Sequence, residues 1–245
     1  IMRDIIKSKE YFDECIKYEK NRINEFSQVL ASLEPENVRG RYYGLMFLAG
    51  FNENLFKLLY SVGDSIEDIY IYYKEWIKLY SEICTKDDSM YDIIDMFSIA
   101  VFYEKRKEDF AEYLIAIVEK LNLDDGMINA CLRYLGFDFK DNKESILSYL
   151  NGLLNGENKV ENLMRVIKKW YSFHKDASWY DAHKSKSDTY RGYWCFELGA
   201  IAKIFKLNDE ELKNQQYYPY DLVHFIDEGT KDIYSNKISM NKRIG

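Results

Sequence analysis

Apolar side chains recur every three or four residues along most of this chain, which is the spacing of a buried face on an α-helix. The pattern predicts a first helix over residues 8–33, which Pro35 ends because proline cannot continue a helix. A second helix is predicted over residues 36–61, with Gly63 as its C-terminal cap. The start of the chain should therefore fold as a helical hairpin.

The rest of the chain repeats this helical pattern. Asp64 and Glu67 are spaced as a capping box that opens a third helix, over residues 64–84. Further segments are predicted at residues 87–103, 107–121, 127–135, 143–154, 160–174 and 190–205, with single turns at 209–213 and 220–226. Most connections are short, which favours antiparallel neighbours. We expect an all-α fold of about nine to eleven mostly antiparallel helices in two contiguous helical subdomains, residues 1–122 and 123–245.

Composition supports a folded helical chain. Of 245 residues, 47% are hydrophobic and 31% charged, a balance that does not fit a disordered tail. The longest stretch without Asp, Glu, Lys or Arg, residues 145–156, is shorter than the roughly 18 residues of a membrane span. The start of the sequence has no signal-peptide pattern, and four widely spaced cysteines favour buried, reduced thiols. We therefore expect a cytoplasmic protein that does not bind a membrane.

The net charge of −7 comes from one part of the chain. Residues 61–122 carry fourteen acidic and seven basic side chains, whereas the other segments are nearly balanced. An acidic chain of this kind favours a basic protein partner and not direct contact with nucleic acid. A solvated helix surface is the alternative interpretation. The candidate partner-binding residues are Asp64, Asp68, Glu75, Glu82, Asp87, Asp88, Asp92, Glu108 and Glu112.

Catalytic signatures are weak in this sequence. It contains no glycine-rich phosphate loop, nucleophile elbow, HExxH motif or close Cys/His cluster, so we expect no enzyme, no metal and no cofactor. Glu197 lies in an apolar stretch and would be expensive to bury unpaired. Such a carboxyl is either a general acid with a raised pKa or a group held by hydrogen bonds to its neighbours.

Three stretches of the C-terminal half carry a resemblance to a known family. They are Trp-Tyr-Asp-Ala-His at 179–183, Tyr-Arg-Gly-Tyr-Trp-Cys-Phe-Glu-Leu-Gly-Ala at 190–200, and Tyr-Tyr-Pro-Tyr-Asp-Leu-Val-His at 217–224. They resemble the C-terminal domain of the PoNe immunity (PoNi) family, whose members neutralise polymorphic nuclease effectors, which are antibacterial DNase toxins. The N-terminal half is similar to the companion domain of that family through residues 2–4, 11–23 and 58–67.

The resemblance implies a helical cytoplasmic protein that binds a cognate nuclease toxin and blocks it without turning anything over. A DNase holds phosphates with Lys and Arg, so the acidic residues of segment 61–122 are expected to cover its active-site cleft. The motif residues are expected to be scaffold, with His183, Glu197, Asp221 and His224 as one structural polar cluster. Two alternatives stay open: a metal-dependent hydrolase built on those four residues, and a helical adaptor for another basic protein.

Overall fold

The computed structural model describes residues 1–157 and 159–229, and all regular secondary structure within those residues is helical. This confirms the predicted all-α fold. The helices that position the site are α1 (Lys9–Ser32), α2 (Val38–Val62), α3 (Ile66–Ile83), α4 (Met90–Phe102), α5 (Ala111–Leu121) and α6 (Gly126–Tyr134). They are followed by α7 (Asn151–Leu154), α8 (Val160–Phe173), α9 (Phe196–Ile204) and α10 (Tyr220–Val223). Short 3₁₀ helices cover Glu104–Asp109, Ser148–Leu150, Ala182–Lys184 and Glu210–Leu212.

The first two helices begin and end within two residues of the predicted positions, for identifiable reasons. The hydroxyl of Ser8 accepts a hydrogen bond from the backbone N–H of Tyr11, which caps α1. Gly63 ends α2 in a left-handed conformation, with φ +98°. A Cβ at Gly63 would also lie 2.1 Å from the carbonyl oxygen of Ile1, so this turn requires glycine for two reasons.

The start of α3 differs by one residue from the prediction. Ser65 is the N-cap, and its hydroxyl accepts the backbone N–H of Asp68. Glu67 was expected to complete a capping box with Asp64, but its carboxylate pairs instead with the guanidinium of Arg106. Ser65 supplies the cap, and a tertiary ion pair with Arg106 takes the place of the contribution expected from Glu67.

Two predicted helices prove shorter. In segment 143–154 helical structure begins only at Ser148, because the preceding residues bond to the start of α6. The N–H of Gly126 donates to the carbonyl of Glu144 at 2.7 Å, and Asp125 Oδ2 accepts the N–H of Ile146 at 2.8 Å. In segment 107–121 the first residues form a 3₁₀ helix, and α5 begins at Ala111.

The predicted helix over residues 190–205 also begins late, at Phe196. Its first six residues are non-helical because their backbone groups bond to distant parts of the chain. Tyr190 N–H donates to the Tyr11 hydroxyl at 3.0 Å, and Cys195 N–H donates to the Tyr217 carbonyl at 2.9 Å. The family motif at 190–195 is therefore an extended strap between helices.

The core extends through both halves of the chain. Helices α1, α2 and α3 pack in sequence, α5 packs on α3, and α4 packs against both α6 and α9. The ring of Phe56 lies 6.2 Å from that of Phe196, and Tyr60 meets Trp194 edge-on at 4.8 Å. The four cysteines are buried free thiols, as predicted. The boundary at 122/123 stays a prediction, and residues 230–245 of the second predicted subdomain lie outside the described residues.

Among the described residues, no helix combines the length and the hydropathy that a membrane span requires.

Candidate partner-binding surface

Most of the candidate carboxylates lie at the surface, on elements that pack against one another. Helix α3 presents Asp64 and Asp68 at its start and Glu82 near its end, all exposed. Glu75, between them, is partly covered and lies 3.4 Å from the ammonium group of Lys78. Exposed members of the same set on neighbouring segments are Asp87, Glu108 and Glu112. We call these seven residues the acidic surface.

Two basic side chains beside the acidic surface donate hydrogen bonds to backbone carbonyls and not to its carboxylates. Lys120 on α5 donates to the backbone carbonyls of Ser81 and Glu82, at 3.1 and 2.7 Å. The guanidinium of Arg3 donates to the carbonyl of Asp64 at 3.0 Å and to Asp221 at 2.8 Å. Because Lys120 bonds to backbone oxygens here, the Glu82 carboxylate stays exposed to solvent.

Asp88 is occupied by contacts within the chain. Its Oδ2 accepts the Tyr80 hydroxyl at 2.7 Å and the Thr85 N–H at 2.8 Å, while Oδ1 accepts the Thr85 hydroxyl at 2.9 Å. These three bonds fix the turn between α3 and α4. The structure thus gives Asp88 a structural role beside the partner-binding role that the sequence suggested.

Asp92 lies in a cleft, away from the outer acidic residues. The cleft has a volume of about 220 Å³ and lies between α2, α4 and residues 178–196. Lys57 projects into it, with Nζ 2.8 Å from Glu53 Oε1 and 3.3 Å from Asp95 Oδ2. One ammonium group therefore faces the carboxylates of Glu53, Asp92 and Asp95. We call this site the acidic cleft.

The excess of carboxylates controls protonation in the acidic cleft. Burial raises the pKa of Asp95 well above its ordinary value; Lys57 opposes the shift, and the neighbouring acids add to it. Burial disfavours the charged form of Lys57, but the surrounding carboxylates together outweigh it and raise the pKa of that ammonium group. Lys57 stays charged, and the carboxylates compete for it.

Glu197 is buried next to this cleft and is held by two donors. Its Oε1 accepts the Tyr149 hydroxyl at 2.8 Å and the indole N–H of Trp170 at 2.6 Å. Burial raises the pKa of Glu197 to about 7, and the two donors oppose that shift. Glu197 thus has the hydrogen bonds of one interpretation together with the raised pKa of the other.

The other three members of the expected polar cluster bond elsewhere. His183 Nδ1 lies 2.8 Å from the Tyr193 hydroxyl. Asp221 accepts from Arg3, and His224 Nε2 lies 2.7 Å from Asp209 Oδ1. The structure thus distributes the four residues over four separate contacts, each tying a different pair of segments, and does not bring them together as one cluster. Within the described residues, no group of His, Cys, Asp and Glu is arranged to hold a metal ion.

Sequence reasoning named Asp92 but missed Glu53, Lys57 and Asp95, which line the acidic cleft together with it. Glu53 and Lys57 are four residues apart on α2, which is the spacing of a helix ion pair, so their pairing could be predicted from the sequence. Their contact with Asp95 could not be predicted, because it depends on how α2 packs beside α4. The same holds for the buried pair of Glu19 and Arg191, 2.9 Å apart and 172 positions apart in the chain.

Comparison with known proteins identifies the family. The model of the PoNe immunity protein (PoNi) N-terminal domain matches residues 3–115, and that of the PoNi C-terminal domain matches residues 138–222. Protein PA2201 from Pseudomonas aeruginosa has a crystal structure with a similar fold, at a TM-score of 0.63 and 15% identity over 92% of this chain and 90% of that one. No curated protein matches the chain. On the strength of the two domain matches, the chain belongs to the PoNe immunity protein family.

Proposed function

We propose that this chain is a cytoplasmic immunity protein that binds a cognate antibacterial DNase toxin and inhibits it by covering its basic active-site cleft. Membership of the PoNi family supports the partner class. The proposed mode of binding rests on the exposed carboxylates of Asp64, Asp68 and Glu82, at the two ends of α3. Glu108 and Glu112 are also exposed, on elements that pack nearby.

The physical basis of this inhibition is competition for positive charge. A nuclease cleft holds the phosphates of DNA with Lys and Arg side chains, and carboxylates placed there take over the same partners. A surface of one sign also accelerates encounter with a partner of the opposite sign. The acidic surface is thus suited to fast capture of a toxin, and the net charge of −7 disfavours DNA itself as the ligand.

We propose no catalytic step for this chain. The hydrolase alternative needed His183, Glu197, Asp221 and His224 at one centre, whereas each of them bonds to a different partner. Stoichiometric inhibition by binding needs none of these groups to react. A helical adaptor for another basic protein would use the same surface and differs only in its partner.

A reconstituted assay tests the proposal. A nuclease gene is sought beside the gene for this chain, and its product, the neighbouring-gene nuclease, is purified. Cleavage of linear DNA is then followed as this protein is added. We expect a stable complex and complete inhibition near one equivalent. If that nuclease neither copurifies with this chain nor loses activity in its presence, the immunity assignment is wrong for this pair.

A further inference from the structure

A second cavity lies against the acidic cleft, between α2, α3 and α4. Its volume is about 210 Å³, and it shares Glu53 and Asp92 with the cleft. Its walls are mainly apolar and aromatic, and carboxylates stand among them. The residues that the argument uses are Met46, Gly50, Glu53, Trp76, Tyr80 and Asp92. We call this cavity the Gly50 groove.

Gly50 is unusual because packing within the chain does not require it. It lies inside α2, where glycine is a poorer helix former than alanine. In the described part of the chain, nothing beyond its own helix backbone and chain neighbours lies within 4 Å of the position a Cβ would take. Gly44 on the same helix differs, because a Cβ there would meet Leu30 of α1 at 3.1 Å. The open space at Gly50 therefore faces the groove.

The size and chemistry of the groove indicate what fits it. Small-molecule sites usually enclose about 300–1,000 Å³, so this groove is too small for a typical cofactor. A dry cavity of about 150 Å³ is known to hold one benzene ring, which is the scale of a single side chain. Apolar walls suit an apolar anchor, and Glu53 and Asp92 at the junction with the acidic cleft suit a neighbouring cation.

We propose that the Gly50 groove receives one apolar or aromatic side chain of the bound toxin, with a Lys or Arg of the same toxin segment paired to Glu53 and Asp92. This rests on the proposed function and assigns a specific anchor point to it. Charge complementarity favours a cationic partner, because one ammonium group, that of Lys57, faces the three carboxylates of Glu53, Asp92 and Asp95. The site therefore keeps an excess of negative charge. Aromatic and Arg side chains seated in pockets carry much of the binding energy in protein interfaces.

Filling the groove tests this proposal without depending on loss of structure. Gly50→Ala and Gly50→Leu both replace glycine with better helix formers, so their denaturation midpoints should equal or exceed that of the parent. Binding to the catalytically inactivated neighbouring-gene nuclease should nevertheless weaken, by about threefold for alanine and by about tenfold or more for leucine. Gly50→Leu should also leave DNA cleavage partly uninhibited at one equivalent.

The matched control is Gln28→Leu, which places the same side chain on an exposed face of α1 and should leave the Kd unchanged. Asp92→Asn tests the cation, and it should weaken binding and lower its dependence on salt.

The outcomes separate the groove from the immunity function. If Gly50→Leu folds and binds the nuclease with the parental Kd, the groove is not the anchor point, although the immunity function stands. A change from dimer to monomer in Gly50→Leu with an unchanged Kd would assign the groove to a second copy of this chain and overturn the proposal. If the parent protein itself fails to bind, the proposed function fails instead. If leucine prevents folding, the alanine variant decides between these outcomes.

Discussion

The indole N–H of Trp194 donates a hydrogen bond of 2.9 Å to the hydroxyl of Ser61, which joins residues 133 positions apart. Ser61 lies in the last turn of α2, and its hydroxyl also bonds with the carbonyls of Lys57 and Arg191. The family motif is thereby fastened to the helix that carries the acidic cleft. We propose that its aromatic residues serve as scaffold for that helix and that the contact surface for a partner lies elsewhere.

Gly192 should be the most sensitive glycine in this strap. Its φ is +96°, and a Cβ there would lie 2.0 Å from Ser61 Oγ and 2.6 Å from Trp194 Nε1. Gly192→Ala should lower the free energy of unfolding by at least about 3 kcal/mol, because backbone strain adds to a clash inside a hydrogen-bonded contact. Urea denaturation followed by circular dichroism measures this.

Gly156→Ala is the matched control for that prediction. Gly156 has φ +103°, and among residues 1–157 and 159–229 nothing beyond its chain neighbours lies within 4 Å of its Cβ position, so only the backbone strain of about 1–2 kcal/mol applies. Equal losses for the two variants would show that the close approach of Gly192 to Ser61 contributes nothing.

Glu197 should make stability depend on pH between about 4.5 and 7. Burial raises the folded-state pKa of Glu197 to about 7, whereas an unfolded glutamate titrates near its ordinary value of about 4.3. Within that interval the folded state holds a proton that the unfolded state has released. The free energy of unfolding therefore falls as pH rises, by up to about 4 kcal/mol in total.

Glu197→Gln should remove this part of the pH dependence. The amide oxygen can still accept from Tyr149 and Trp170, and it carries no charge to bury. We expect the variant to be more stable than the parent at pH 8 and to match it more closely at pH 5, with Glu161→Gln on the exposed face of α8 as the control. If the free energy of unfolding falls with pH at the same slope in Glu197→Gln and in the parent, then the pKa of Glu197 is not raised to about 7.

The sequence predicted what local periodicity and capping determine. Helices α1 and α2 follow from apolar spacing, Ser8 and Gly63, all of which act within a few residues. The failures lie where distant partners take over local groups: Arg106 draws Glu67 away from the cap of α3, and Tyr217 holds the backbone of Cys195 outside α9. The acidic surface could be predicted by counting charged residues along the chain. The acidic cleft could not, because no local sequence pattern indicates that Lys57 contacts Asp95.

Arg106 should be a strong stability determinant. Its guanidinium is 5% exposed and donates from Nε to Asp227 Oδ1 at 2.7 Å, while the Asp227 side chain is 1% exposed. Arg106→Met leaves that carboxylate buried without its cation, so we expect a loss of about 3–5 kcal/mol in unfolding free energy. Adding Asp227→Leu should restore part of it, which a double-mutant cycle measures.

The exposed pair of Lys9 and Asp13 provides the comparison. Lys9→Met breaks a 2.6 Å contact whose partners are 65% and 51% exposed, and it should lower stability far less than Arg106→Met does. If Arg106→Met lowers the free energy of unfolding no more than Lys9→Met does, then burial does not strengthen the pairing of Arg106 with Asp227.

Reversing charge on the acidic surface should act on association. Asp64→Lys, Asp68→Lys and Glu82→Lys together change exposed side chains, so unfolding free energy should stay within about 0.5 kcal/mol per site. The association rate with the neighbouring-gene nuclease should fall by about tenfold or more at low salt and lose most of its salt dependence. Stopped-flow fluorescence or surface plasmon resonance measures both.

The control for these reversals must alter net charge equally at other places. Glu14→Lys, Glu36→Lys and Glu161→Lys together change three exposed carboxylates on α1, before α2 and on α8, outside segment 61–122. These variants should retain most of the parental association rate. If they slow association as much as the acidic-surface variants, then overall charge and not this surface governs capture.

The central claim is that the carboxylates of α3 to α5 meet the positive cleft of a DNase, and a crystal structure of the complex tests it most directly. We predict Lys or Arg side chains of the nuclease within 4 Å of Asp64, Asp68, Glu82 or Glu112, with its DNA-binding cleft covered. A nuclease seated on the opposite side of the molecule, with those four carboxylates left in solvent, would contradict the account.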